Sequence, residues 1–552
     1  MSAESKARSP GEDTPVQAGW RRRDLLTLGG GVGVAGVLTA AVTATGRSTD
    51  SGAAACGQVL HGPVHVGDHG ARGDGVTDDT AALQSVVDEH AGRVIVFGSG
   101  TYLVSQLLLP TGTYLDLGSA VLRRTGNTEG AAGGTTLRNA DLDGGNADIT
   151  VLGGTIEGGA DATGRLLGFV NTQRVDVRGT TLRKGGSAFV DWMFVLQACE
   201  DVHVSDVRIT GGTEVGEDGL HIKACSRVTV ANCTIESGDD ALAIVQQYRQ
   251  QKPVRDIAVT NCVLSSRSAH MIRISVFPEE AEPIEGVVLS NILGRTPPGG
   301  SVGTPVLVND DTGQGLIRRL SIDNVVIDAR DSAGDAWRLA NVRGIGLRGV
   351  RVVGADTRSF RFEACTDVSL SDCHAEAPRP GSGNAAWTFA ACRDVSLVNC
   401  SATQAPVHGF EVNGASSAFR FISCHSTDSG AYGFHLEEVV GVLLSACVAT
   451  GGVQGVNCDV ASPPSGVRVL GCRFTGQTDR AVKTPPASTT VLAITEESVP
   501  PSGDRLAGPI GFFGAQPVPR PSVVGSRGGN EALAALIRAL ADLGLVEDDT
   551  VG

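Results

Sequence analysis

One short phrase of alternating residues returns thirteen times along the chain, and no other feature constrains its fold as strongly. The phrase runs apolar, any, apolar, any, small polar, then a small buried residue. Typical copies are Val175-Asp176-Val177, Val202-His203-Val204, Val228-Thr229-Val230 and Val395-Ser396-Leu397. The residues that open them stand at 148, 174, 201, 227, 256, 286, 319, 344, 367, 394, 418, 441 and 466, so the spacing is 23 to 33 residues. Strict alternation puts one side chain in and the next out, as in a half-buried strand. A single copy cannot bury its inner face alone, so copies must stack. The expected fold is all-β: a right-handed, single-stranded parallel β-helix.

Cysteines keep the same register. Cys233, Cys262, Cys373, Cys400, Cys424, Cys447 and Cys472 stand five residues after the first apolar position; Cys199, Cys225, Cys365 and Cys392 stand three before it. Metal ligation and disulfides are open to such columns, but a ladder of small buried thiols is the simpler reading. Asn232, Asn261, Asn291, Asn324 and Asn399 form a column of turn residues whose amides satisfy one another. Composition agrees with a core of many small rungs: 74 glycines and only 4% aromatic residues. A net charge of -15 disfavours a phosphate-binding surface, so no nucleic-acid partner is expected.

Before the repeats, residues 1–55 read as an export segment and linker. Arg21-Arg22-Arg23-Asp24-Leu25-Leu26 leads into an apolar, glycine-rich run from Leu28 to Ala44, too short and small for a membrane span. The Arg22–Arg23 pair resembles a twin-arginine signal, which implies a secreted or cell-envelope protein with no stable span in its mature form. Residues 56–500 form the expected β-helix domain. Its start, Asp68 to Thr80 followed by an amphipathic stretch with Leu83, Val86 and Val87 on one face, predicts a capping helix started by Asp78 or Thr77. This stretch resembles the N-terminal cap of the pectate lyase superfamily.

Three consecutive rungs carry a dense cluster of ionisable residues. They read Glu217-Asp218-Gly219-Leu220-His221-Ile222-Lys223, then Gly238-Asp239-Asp240-Ala241-Leu242-Ala243-Ile244, then His270-Met271-Ile272-Arg273-Ile274. Aligned on their apolar residues, Asp218, Asp240 and His270 share one column and His221, Ala243 and Arg273 another. Rungs are about 4.8 Å apart, so Asp218, Asp239 and Asp240 crowd one another and at least one should have a raised pKa. A protonated acid beside ionised carboxylates suits glycosidic hydrolysis.

These segments resemble the polygalacturonase family of inverting glycoside hydrolases. Asp218-Gly219 matches part of that family's Asn-Thr-Asp-Gly, Gly238-Asp239-Asp240 its Gly-Asp-Asp, and His270 its Gly-His-Gly histidine. The resemblance implies Asp239 as general acid, Asp218 and Asp240 as activators of water, and His270 as their support, with no metal or cofactor. The family's Arg-Ile-Lys on the next rung is absent, where Pro305-Val306-Leu307-Val308-Asn309 stands. Arg273, His221 and Lys223 are the candidate substrate-binding groups in its place. The expectation is a secreted polysaccharide hydrolase acting on a pectin-like glycan. A non-catalytic glycan-binding spike or adhesin, and a uronate lyase or epimerase, remain open.

Residues 501–552 form a separate tail with a short helix carrying Leu533, Leu536, Ile537 and Leu540 on one face. The tail resembles a C-terminal segment of phage tail-fibre proteins, which implies a homotrimer; an ordinary docking helix fits the same residues.

Overall fold

The computed structural model describes residues 62–126, 134–160, 164–186, 191–376, 378–379, 383–458, 460–483, 489–492, 495–497, 522–526, 528–542 and 547–551. The chain divides into two units, Met1–Leu60 and His61–Gly552. The first, with the export segment, lies outside the described residues, as does Cys56.

The second unit is the expected solenoid. Its strands run from Val64–His65 to Thr495–Glu497 and all pair in parallel with the rungs before and after. One coil at the centre shows the pattern: strand Ser226–Ala231, a corner at Asn232, strand Thr234–Ser237, the Gly238-Asp239-Asp240 turn, then strand Leu242–Gln246. The third strands of successive coils form a continuous 15-stranded sheet from Leu107–Leu109 to Arg480–Lys483. That sheet carries the clustered residues.

Each corner has a backbone reason. All thirteen residues that open a repeat have φ between 54° and 73°, whether Asp148, Arg174, Gly286 or Ala418. The left-handed region favours Gly, Asp and Asn, which explains much of the glycine count. Arginine is costly there, and Arg174 and Arg227 lie 2.6 Å from Asp148 and Asp201 in the same column one rung earlier. The asparagine column is also left-handed, φ 53–57°. Asn261, Asn291 and Asn324 each donate an amide to the preceding asparagine at 2.8–3.2 Å, while Asn399 donates to Asp372 at 2.7 Å.

Inside, the twelve described cysteines are all buried and unbridged. Eleven of the thiols donate to backbone carbonyls two residues back, as Cys262 does to Thr260 at 3.3 Å. Thiol titration should therefore find none of the twelve reactive in the folded protein, all of them reactive after unfolding, and a melting temperature indifferent to reductant. Rapid labelling of several thiols in the folded state would contradict the burial of these columns. Five of the aromatic residues form one stack. From Ile272 and Val306 the same inward column continues through Trp337, Phe360, Trp387, Phe410 and Phe434, with Phe360 and Trp387 only 3.8 Å apart.

At the first rungs the helix is Thr80–Glu89, with Leu83, Val86 and Val87 buried as expected. Its cap residue is Asp79, not Asp78 or Thr77. The Asp79 carboxylate turns back to accept from Arg72 and Gly73 N–H, and Asp78 accepts from Thr80 N–H from one position further out. Asp74 closes the preceding turn by accepting from the N–H groups of Val76 and Thr77 and the Thr77 hydroxyl, bonds that lower its pKa to about 2. In the tail, strands Ser522–Ser526 and Glu547–Val551 pair in parallel around helix Glu531–Asp542, which Asn530 starts by accepting from Ala532 and Leu533 N–H. Of its apolar stripe only Ile537 is buried; Leu533 and Leu536 are exposed.

Candidate active site

The register places the cluster. Leu220 pairs with Leu242 and Leu242 with Ile272, so the turns carrying Asp218, Asp239-Asp240 and His270 lie one above another at the same end of three adjacent strands. Two glycines make the turns possible. A Cβ at Gly219 would stand 2.5 Å from the Ala241 carbonyl, and one at Gly238 2.2 Å from the Glu214 carbonyl.

Asp239 is half-buried and is the carboxylate of the three that reaches the surface. Its Oδ2 accepts from Gly216 N–H at 2.9 Å. Its backbone carbonyl accepts from Ser266 Oγ at 2.6 Å and Ser237 Oγ at 2.9 Å, and the Gly238 carbonyl accepts from Ser268 Oγ at 2.6 Å. These serines fix the turn. They left no signal in the sequence, because isolated serines carry no periodicity.

Asp218 is buried, with Oδ1 accepting from Asp240 N–H at 3.1 Å and Oδ2 2.7 Å from His221 Nδ1. Burial first, then the nearby Asp239 charge, raise its pKa to about 8. Asp240 is also buried; Oδ1 accepts from His270 N–H at 3.2 Å and Oδ2 from Arg273 at 3.2 Å. Burial and the Asp218 charge raise its pKa to about 7. The two values belong to a coupled cluster, which keeps a proton near neutral pH.

His270 Nδ1 donates to the Thr304 carbonyl at 2.6 Å, leaving Nε2 as the free face of the ring. Arg273, paired with His221 and Ala243 in register, is committed to Asp240 and lies against Phe277, with its side chain 27% exposed. Glu217, at the family's threonine position, is fully buried. It binds Lys184 at 2.5 Å and accepts from Thr213 and Glu214 N–H, so it ties down the preceding loop.

His221 and Lys223 do not line an open face: only 3% and 4% of their surfaces are exposed. Trp192 from the previous rung stacks on His221, 3.9 Å between centroids at 13°. Lys223 lies between the Trp192 and Tyr248 rings, 5.0 Å from each, and burial lowers its pKa to about 8. Arg165, paired with Asp191 at 3.0 Å, packs against Trp192 as well. Trp192 and Tyr248 were not recognisable beforehand because both sit outside the alternation, at left-handed φ of 44° and 65°. Among the described residues no group of three or more His, Cys, Asp or Glu side chains is placed to hold a metal ion.

Residues 64–274 match the family described as rhamnogalacturonase A/epimerase, pectate lyase-like. The match spans less than half of the chain but takes in the whole carboxylate cluster. An exopolygalacturonase of Zea mays is 25% identical over 293 residues, 43% of this chain and 67% of that protein. A probable polygalacturonase of Arabidopsis thaliana is 23% identical over 356 residues, 57% of this chain and 74% of its own length. Among solved structures, the N-terminal fragment of bacteriophage phi29 gene product 12 superposes with a TM-score of 0.44 at 16% identity, covering 84% of this chain and 75% of that one. The chain thus carries a pectate-lyase-like β-solenoid fold and is homologous to the polygalacturonases.

Proposed function

We propose that the protein is a glycoside hydrolase that cleaves a polysaccharide with inversion. The observation that carries this reading is the stack of three carboxylates, two buried and the third at the surface, which as a cluster keeps a proton near neutral pH. Asp239 is the general acid: it faces outward, where the glycosidic oxygen of a bound glycan can receive its proton. Asp218 and Asp240 are the bases, since protein donors already point at both oxygens of each and favour their ionised forms. They draw a proton from water as its oxygen attacks the anomeric carbon and the leaving oxygen takes the proton of Asp239. His270, whose Nδ1 is held by the Thr304 carbonyl, supports the leaving group. Arg273 holds Asp240 and, by its exposed part, the substrate. Lys223, buried between two rings, adds positive charge two residues along the strand from His221.

Reducing-end release across a panel of plant and bacterial glycans tests this directly. The expected result is cleavage of a pectin-like member and product NMR showing an inverted anomeric centre. Binding across the panel without any cleavage would replace the hydrolase with a glycan-binding spike. Calcium-dependent release of unsaturated product would replace it with a lyase.

A polysaccharide substrate places the protein outside the cytoplasm, in line with its relatives' fold and family. No helix among the described residues is long and apolar enough to cross a membrane. We assign export to the twin-arginine route through Arg22 and Arg23. Replacing both by lysine should retain the precursor in the cytoplasm; secretion of the double variant at the normal rate would remove the assignment.

A further inference from the structure

The cluster contains one buried group to which the hydrolytic scheme gives no task. His221 is enclosed on three sides: Trp192 covers a ring face at 3.9 Å, Asp218 Oδ2 meets Nδ1 at 2.7 Å, and the Gln247 amide nitrogen meets Nε2 at 3.0 Å. Gln247 is itself buried, and the turn after it is pinned by buried Glu280, which accepts from the N–H groups of Arg249 and Gln250. An amide N–H pointing at Nε2 can only donate, so Nε2 is an acceptor and the ring proton of a neutral imidazole must be on Nδ1. That proton points at Asp218.

We propose that His221 is a positioning residue for Asp218: locked by Gln247 and Trp192, it donates Nδ1–H to Oδ2 and favours the ionised form of Asp218 against the burial that opposes it. The inference rests on the hydrolase reading and deepens it, because it decides which buried carboxylate is ready as the base. The charges around the ring agree. Lys223 on its own strand, Arg165 beside Trp192 and Arg273 across the neighbouring strand oppose a second proton, Asp191 favours one, and burial outweighs them all, holding the imidazole neutral. The Asp218 contact is therefore a hydrogen bond from a neutral ring and not an ion pair, despite its salt-bridge geometry. With Asp240 N–H on Oδ1 and His221 on Oδ2, both Asp218 oxygens face donors, which favours the carboxylate that takes the proton of water.

Two substitutions separate donation from packing. His221→Phe keeps a ring under Trp192 but removes the donor; His221→Asn loses the stack but restores an N–H close to the position of Nδ1. The Phe variant should lose kcat roughly 10–100-fold with KM little changed, and its acidic limb should move to higher pH because Asp218 takes up a proton more readily. The Asn variant should recover most of the rate and the original limb. Equal loss at every pH with no recovery in His221→Asn, or no loss in either variant, would overturn the proposal. Nitrogen-15 shifts of His221 read the tautomer without any substrate, so they decide the matter even if the chain cleaves no glycan. A neutral Nδ1–H ring between pH 5 and 8, lost in Gln247→Leu, is expected; an Nε2–H ring or an imidazolium in the wild type would end it.

Discussion

Asp239→Asn should abolish nearly all glycan cleavage, lowering turnover by roughly 10²–10⁴-fold, while glycan binding and the melting temperature stay close to those of the wild type. The side chain keeps its shape, and its one strong contact is with Gly216 N–H, which the amide oxygen of Asn can still accept. The turn is held by Ser237, Ser266 and Ser268 through backbone carbonyls, none of which changes. What is lost is the proton for the departing sugar oxygen. The effect should shrink for substrates with acidic leaving groups, which need less protonation. Isothermal binding with the uncleaved polymer, thermal melting and initial rates on both substrate types check the three parts. A variant that cleaves polymer at the wild-type rate would remove Asp239 from the mechanism and with it the hydrolytic reading of this cluster.

How much of this was legible beforehand follows from periodicity. The column of Leu220, Leu242 and Ile272 could be aligned from alternation alone, and the observed pairs are those. A one-residue slip would turn each apolar side chain outward, so the register is strongly specified. The cysteine and asparagine columns were legible for the same reason. Alternation says which way a side chain leaves the strand but not what covers it there. His221 and Lys223 leave the core side and are still buried, because Trp192 and Tyr248 arrive from turns whose left-handed backbone breaks the pattern. Arg273 likewise faces out, yet it bends back to Asp240, a partner one rung away that spacing does not identify. At the helix start the sequence offered Asp78 or Thr77; the cap position fell to Asp79, whose carboxylate is taken by Arg72 and Gly73 N–H, while Asp78 accepts from Thr80 N–H.

The second large effect sets stability against function. Asp218→Asn should reduce turnover by an amount comparable to Asp239→Asn, since it removes a base, yet it should stabilise the fold, and increasingly so as pH rises. The sign follows from the carboxyl itself. Its ordinary pKa is 3.8 and its folded value about 8, so it binds its proton more tightly in the native state than in the unfolded chain. Below about pH 4 both states are protonated and the residue imposes no penalty. Between there and pH 8 the unfolded chain releases the proton first, and the native state loses stability continuously, by an amount on the order of several kcal/mol. An amide does not titrate, so the variant escapes this loss. The Asn Oδ1 can still accept from Asp240 N–H, although its amide group meets His221 Nδ1–H as a donor unless the imidazole changes tautomer. That mismatch is present at every pH and lowers the gain uniformly, whereas the charge contribution grows with pH. Melting temperatures of variant and wild type should therefore diverge in the variant's favour from pH 4 to 8 and run parallel above it. Curves that stay parallel over the whole range would mean that Asp218 ionises as readily in the folded protein as in the unfolded chain.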